Sequence, residues 1–194
     1  MERKTSAVII LLVAILASAG DLASARDHSF REGYKEAKWG MSKSEVKDCF
    51  ADKPMNEQKD NISCVTGIVG LETKVLLNFF SDQLYNVSLF VRIPKQDAKE
   101  YLVDFKRLEE LLTSKYGNPR VMLGIAGMDI STDDIFRAYD NKDICGKRWA
   151  GKETDIDLII YRQGNRLELS VQYNCRKLLR EKQDLETEKA KREL

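Results

Sequence analysis

Alternating apolar and polar residues mark the strands of this chain. Two such runs, 73–80 and 84–93, are neighbours in sequence and predict a hairpin. A second hairpin is predicted around a turn at residues 163–165, and shorter strands over 62–69 and 120–123. The residues assigned to the core face of the two hairpins are Val75, Leu77, Phe79, Tyr85, Val87, Leu89, Val91, Ile156, Leu158, Ile160, Leu167, Leu169, Val171 and Tyr173.

Apolar residues spaced three and four apart predict a long helix over 96–116. A short helix over 43–51 has a strong start signal, because Ser42 and Glu45 have the spacing of a capping box. A weaker pattern indicates a further short helix over 133–140. Together the elements predict an α+β fold, with two main helices on one face of an antiparallel sheet of five to six strands.

Two segments of the chain also resemble each other in sequence. Gly70-Leu71-Glu72-Thr73 matches Gly151-Lys152-Glu153-Thr154 at an offset of 81 residues, and the strands that follow align as well. Two interpretations account for this match. The chain contains either two tandem helix-plus-sheet units, 38–93 and 96–175, or two similar hairpins in a single domain, 38–175.

The first 25 residues have the layout of a secretory signal peptide. A charged start and a 12-residue apolar run precede Ala23-Ser24-Ala25, which predicts cleavage after Ala25. An apolar run of this length is well short of the roughly 20 residues that span a bilayer. We therefore expect a periplasmic or secreted protein with no stable membrane insertion after cleavage. Residues 26–37 are polar and predicted to be flexible.

The last segment, 176–194, is a charged tail predicted to form a solvated helix, because oppositely charged residues lie four apart along it. Its apolar residues Leu178, Leu179 and Leu185 are candidates for a partner surface. Trp39 and Trp149 are further candidates, since tryptophan is frequent in binding hot spots. The alternative is that both tryptophans seal the core and that the tail binds nothing.

All four cysteines follow the predicted cleavage site. An even number of cysteines in an oxidising compartment favours two disulfides. The predicted organisation favours the pairs Cys49–Cys64 and Cys145–Cys175, each within one half of the chain. No Cys-x-x-Cys occurs, and the single histidine, His28, lies close to the predicted new N-terminus. No metal site is predicted.

Charge and motifs indicate no catalytic chemistry. With 32 Lys and Arg against 31 Asp and Glu, the chain lacks the basic excess of a nucleic-acid-binding protein. No glycine-rich nucleotide loop or serine nucleophile elbow is present. Asp129, Asp133 and Asp134 fit the start of a helix, and Asp155 and Asp157 are predicted to lie on a solvated strand face. We expect no catalytic residue and no cofactor.

The helix start Lys38-Trp39-Gly40-Met41-Ser42-Lys43-Ser44-Glu45-Val46 and the later Lys115-Tyr116-Gly117-Asn118-Pro119 carry a family likeness. These motifs resemble envelope proteins of the SmpA/OmlA type and the tandem domains of beta-lactamase inhibitory proteins. The resemblance implies a noncatalytic binding or assembly module, and it transfers no functional residue. The chain lacks the lipidation cysteine of the SmpA type.

The sequence therefore predicts a noncatalytic protein that binds another envelope protein, as an assembly factor or an inhibitor. The alternative is a small-ligand or lipid-binding module with a cavity between helix 96–116 and the sheet.

Overall fold

A computed structural model of the chain describes residues 33–93, 97–124 and 129–193. The predicted signal peptide and residues 26–32 lie outside the described residues. The described part contains four helices, α1 Lys43–Cys49, α2 Ala98–Tyr116, α3 Thr132–Asn141 and α4 Arg176–Arg192. Its strands are β1 Gly33–Tyr34, β2 Ala37–Lys38, β3 Asn56–Glu57, β4 Asn61–Ile68, β5 Leu71–Phe80, β6 Gln83–Val91, β7 Val121–Gly124, β8 Ile144–Ala150, β9 Thr154–Gln163 and β10 Arg166–Cys175.

The predicted α+β class is confirmed, and the antiparallel sheet is larger than predicted. Eight strands pair in the order β3-β4-β5-β6-β10-β9-β8-β7. The sequence pattern missed two strands of this sheet: β3, which has only two residues, and β8, in which Gly146 and Lys147 interrupt the apolar alternation. Gly146 is needed there, because a Cβ at this position would lie 2.4 Å from the carbonyl oxygen of Leu158 on β9.

Two three-stranded meanders, β4-β5-β6 and β8-β9-β10, meet where β6 pairs with β10. We call this pairing the seam. At its centre Leu89 lies opposite Val171. The two matching tetrapeptides of the sequence lie at corresponding places, around the starts of β5 and β9.

Helices α2 and α3 pack on one face of the sheet, mainly over β8 and β9. The short pair β1–β2 lies over the same face beside β10. Part of the segment predicted to be flexible therefore forms β strands, because Tyr34 and Ala37 are both buried in the core. A gap remains between α2 and β1–β2, above the seam.

The opposite face carries a polar network across five neighbouring strands. Asn78 donates to Asn86 at 2.6 Å, Asn86 donates to Asn174 at 2.8 Å, and Asn174 reaches Asp157 at 3.4 Å. Arg148 then binds both carboxylate oxygens of Asp157, at 2.5 and 2.7 Å. Asp157 is only 6 % exposed, so the prediction that it is solvated is wrong. It is buried because Arg148 faces it in register on β8.

Asp155, the other carboxylate predicted to be solvated, is half-buried. Its Oδ2 lies 3.5 Å from Nε of Arg176, while its Oδ1 is buried without a hydrogen-bond partner. Arg176 also donates to the carbonyl oxygen of Gly151 at 2.9 Å. The pair therefore fixes the start of α4 against the second meander.

Neither predicted disulfide is present, since all four cysteines are free thiols. Cys175 pairs with Thr154, whereas Cys145 pairs with Ile160, six residues further along β9. Six strand residues span about 20 Å, far beyond the roughly 7 Å between Cα atoms that a disulfide tolerates. Cys49 instead donates to the carbonyl oxygen of Glu36 at 3.7 Å.

A bulge in β6 shows that the core position predicted for Tyr85 is wrong. The pairing passes from Asn78 opposite Asn86 to Phe79 opposite Leu84, which leaves Tyr85 without a partner residue. Leu84 therefore takes the core position predicted for Tyr85. The ring of Tyr85 instead meets Lys182 of α4, whose ammonium lies 5.5 Å from the ring centroid.

Candidate functional site

The gap above the seam is a cleft of about 670 Å³. Its floor includes Leu89 and Val171, the residues at the centre of the seam. Leu108 and Leu112 of α2 form the facing wall. Pockets of roughly 300–1,000 Å³ with apolar walls are typical of small-molecule sites.

Register gives the cleft a direction. On β10 the floor begins at Tyr173, opposite Val87, and continues to the level of Leu169, opposite Val91. The four residue steps from Tyr173 to Leu169 span about 13 Å along the strand. Helix α2 runs in the same direction as β10, because the Tyr101 hydroxyl near the start of the helix donates to the carbonyl oxygen of Leu167 near the start of the strand at 2.6 Å. The end of α2 therefore meets the Tyr173 end of the cleft.

Three tyrosines gather at that end, and we call them the tyrosine cluster: Tyr34, Tyr116 and Tyr173. The ring centroids of Tyr34 and Tyr173 are 5.2 Å apart at 54°, and the Tyr116 side chain is close enough to Tyr173 to contribute to the raised pKa of its hydroxyl. Burial raises the pKa of Tyr34 and of Tyr173 above the usual range of a tyrosine. Both hydroxyls are therefore neutral near pH 7.

The hydroxyl of Tyr34 has no hydrogen-bond partner among the residues that the structure describes. The residue is 7 % exposed, and its oxygen is buried. Leaving a buried polar group unpaired costs about 1–3 kcal/mol. Tyr34 is one of the residues that line the cleft, so a polar atom of a bound molecule could supply a partner for this hydroxyl.

The exposed residues among those that line the cleft mark its mouth. They include Lys35, in the turn between β1 and β2, and Leu111 and Lys115, on α2. The Lys35 ammonium lies 5.6 Å from the centroid of the Tyr34 ring. The Lys115 ammonium lies 5.0 Å from that of Tyr116. Two cations therefore flank the tyrosine cluster.

A larger opening of about 960 Å³ borders the first half of α2. It contains Asp104 and Glu168, and burial is the main cause that raises the pKa of each carboxyl. At its rim Arg92 pairs with Glu72 at 2.8 Å. The charges of this opening thus offset one another, unlike those of the cleft.

The structure brings together two of the residues predicted as a partner surface, since Trp39 and Leu178 line one opening of about 1030 Å³, but Trp149, Leu179 and Leu185 lie outside its lining. Trp149 is 1 % exposed, and its Nε1 donates to the carbonyl oxygen of Gly117 at 2.7 Å, so it seals the core. Trp39 is half-buried and donates to Thr154 Oγ1 at 2.8 Å. Along α4, Leu178 is buried, Leu179 is half-buried and Leu185 is exposed.

The sequence pattern missed the contribution of β1 to the cleft. Tyr173 was assigned to the core face, and Tyr116 lies at the end of the predicted long helix. Tyr34 and Lys35 fall in a segment predicted to be flexible, and they reach the site through a contact with β10. The signal available in the sequence was the aromatic side chain of Tyr34 within an otherwise polar segment.

Comparison of the chain with models of known protein families, with curated proteins and with solved structures finds no match. The likeness to SmpA/OmlA-type proteins therefore stays a prediction from its motif residues. Among the helices of the described ranges, none is long and apolar enough to cross a membrane.

Proposed function

We propose that this protein is a noncatalytic binding protein that holds a small, largely apolar molecule in the cleft above the seam. The cleft itself carries the proposal, because it combines apolar walls with a buried tyrosine hydroxyl for which the described part of the chain supplies no partner. The described residues that line it are aliphatic side chains, glycines, three tyrosines and two lysines. Groups of these types bind and orient a ligand.

A blocking variant tests the proposal. Leu111 is exposed at the mouth, so Leu111→Trp would fill the opening without disturbing the core. Val103→Trp is the matched control, since Val103 is an exposed residue of α2 outside the described lining of the cleft. The full chain is titrated with the neutral fluorescent probe N-phenyl-1-naphthylamine, and thermal unfolding is recorded with and without it.

We expect wild type and V103W to bind the probe equally and to unfold at a higher temperature in its presence, because a ligand that binds the native state stabilises it. L111W should bind at least ten times more weakly. Equal binding by both variants, or no binding by wild type, would contradict the proposal.

A second candidate function is the binding of an envelope protein through α4. This helix buries Leu178 alone among its side chains and leaves Leu185 46 % exposed. Crosslinking in the native envelope should recover a specific partner that Leu185→Asp loses. Gln183→Asp is the matched control, because it adds the same charge to an exposed position of the helix. Recovery by L185D equal to that of wild type excludes this helix face.

The predicted signal peptide would place both activities in the periplasm or outside the cell. N-terminal sequencing of the exported protein should begin at Arg26.

A further inference from the structure

We propose that the cleft selects a single-chain aliphatic anion, with the anionic head between Lys35 and Lys115 and the tail along the seam. This inference rests on the proposed function and specifies the class of ligand.

The charge of the cleft is one-sided. The whole chain is almost balanced, with 32 basic and 31 acidic residues. The described lining nevertheless contains Lys35 and Lys115 and no carboxylate. Neither ammonium forms an ion pair with another described residue. Glu36, the acidic residue next to Lys35 in sequence, is exposed and lies outside this lining.

The two lysines converge on one end of the cleft. Each ammonium lies over a ring of the tyrosine cluster, Lys35 over Tyr34 and Lys115 over Tyr116. Tyr34, Tyr116 and Tyr173 line the same end of the cleft, where Tyr173 contacts the Tyr34 ring and Tyr116 contributes to the raised pKa of Tyr173. An anion at this end would therefore meet both cations together.

The tyrosine cluster also supplies a matching donor. The Tyr34 hydroxyl is protonated and has no acceptor within the described ranges of the chain. An anionic oxygen is a pure acceptor, and hydrogen bonds to charged acceptors are stronger than those between neutral groups. A cationic head group would instead face two ammoniums and a hydroxyl that cannot donate to it.

The rest of the cleft fits an aliphatic tail. From Tyr173 to the level of Val91 the floor is formed by Val171 and Leu89, with Leu108 and Leu112 facing it. This path of about 13 Å is suited to one extended chain. A fatty carboxylate and an alkyl phosphate share the required chemistry, namely an anionic oxygen head on an aliphatic chain.

The experiment displaces N-phenyl-1-naphthylamine from the full chain with four dodecyl compounds used below their micellar concentrations. Dodecanoate and dodecyl phosphate carry the two anionic heads, dodecanol is neutral, and dodecyltrimethylammonium is cationic. We expect at least one anion to displace the probe at a tenfold lower concentration than the cation. The order of the two anions then identifies the head group.

The lysines are tested by Lys35→Gln and Lys115→Gln, with Lys106→Gln as the control on an exposed position of α2 outside the described lining. K35Q and K115Q should each weaken displacement by the anion three- to tenfold and leave dodecanol unchanged. K106Q should resemble wild type.

The outcomes separate the two proposals. If all four compounds displace the probe equally, or if K35Q and K115Q behave like K106Q, the anion inference is overturned while the cleft still binds apolar molecules. If wild type binds neither the probe nor any dodecyl compound, the proposed function itself fails.

Discussion

Lys147 shows how the environment of a single side chain decides what a substitution does. The residue is 3 % exposed on the core face of β8, and its Nζ donates to Glu109 Oε1 on α2 at 2.5 Å. A buried charge is tolerated when it is paired, and removal of the partner leaves it uncompensated. The pair therefore links helix to sheet without adding much net stability.

We predict that Glu109→Gln lowers the free energy of unfolding by about 1–3 kcal/mol, less than for a fully buried pair because Glu109 keeps some contact with solvent. The double variant Glu109→Gln with Lys147→Met should recover most of this loss. Urea unfolding of the two single variants and the double variant measures the coupling. Strictly additive effects would show that the pair is not coupled.

The free thiols differ in environment. Burial raises the pKa of Cys145 to about 12 and also raises that of Cys64, so both are protonated and unreactive near pH 7. Cys49 is half-buried. We predict that a thiol reagent labels Cys49 in the native protein and the other three cysteines after unfolding. Cys49→Ser is the control, and an intact mass four hydrogens below the reduced value would refute four free thiols.

At the scale of elements, two helices begin with the same device. In α1, the Ser42 backbone N–H donates to Glu45 at 2.8 Å, and in α3 the Ser131 backbone N–H donates to Asp134 at 3.0 Å. Hydrogen bonds from the side chain and backbone of Ser42 lower the pKa of Glu45. Those from the backbone and side chain of Ser131 lower that of Asp134.

A folded-state pKa below the unfolded value stabilises the fold above the unfolded pKa of about 4. That contribution is lost as pH falls through the folded pKa. We predict that Ser131→Ala costs about 1 kcal/mol near pH 7 and that Ser42→Ala acts in the same direction. The difference from wild type should shrink towards pH 3. Urea midpoints measured from pH 7 to pH 3 test this, and a difference independent of pH would contradict it.

The elements that were predictable have local signals. The Ser42 capping box is confirmed, and α2 ends at Tyr116 as predicted. The third helix is capped by Ser131, and the same local pattern could have predicted this cap. In contrast, β8 is a strand because Gly146 permits a close approach to β9, and β1–β2 exist because Tyr34 packs on Tyr173. Contacts between residues distant in sequence leave little local pattern.

At the scale of the whole molecule, the seam joins the two meanders and also forms the floor of the cleft. A cavity between helix 96–116 and the sheet was the alternative prediction, and that prediction named no lining residue. The chemistry of the cleft depends on Lys35 and Tyr34, which reach the seam only after the first and last thirds of the chain have met. The residues that make up the site could therefore not be predicted from local sequence patterns.

We predict that Leu89→Ala lowers the free energy of unfolding by about 2–5 kcal/mol, because Leu89 is buried at the centre of the seam. Val103→Ala, on the exposed side of α2, should change it by less than about 0.5 kcal/mol. Circular dichroism and tryptophan fluorescence should report one shared transition in each variant. Two separate transitions in L89A would mean that the meanders fold independently.

The seam also has a consequence for the order of synthesis. Val171 pairs with Leu89 although it follows it by 82 residues. Until the last strand has been made, β6 is therefore an edge strand, with unpaired backbone groups along one side. A nascent or exported chain must keep this edge from pairing with another copy. When two chains are refolded together at high concentration, β6 of one can meet β10 of the other, and the exchanged dimer retains the contacts of the seam.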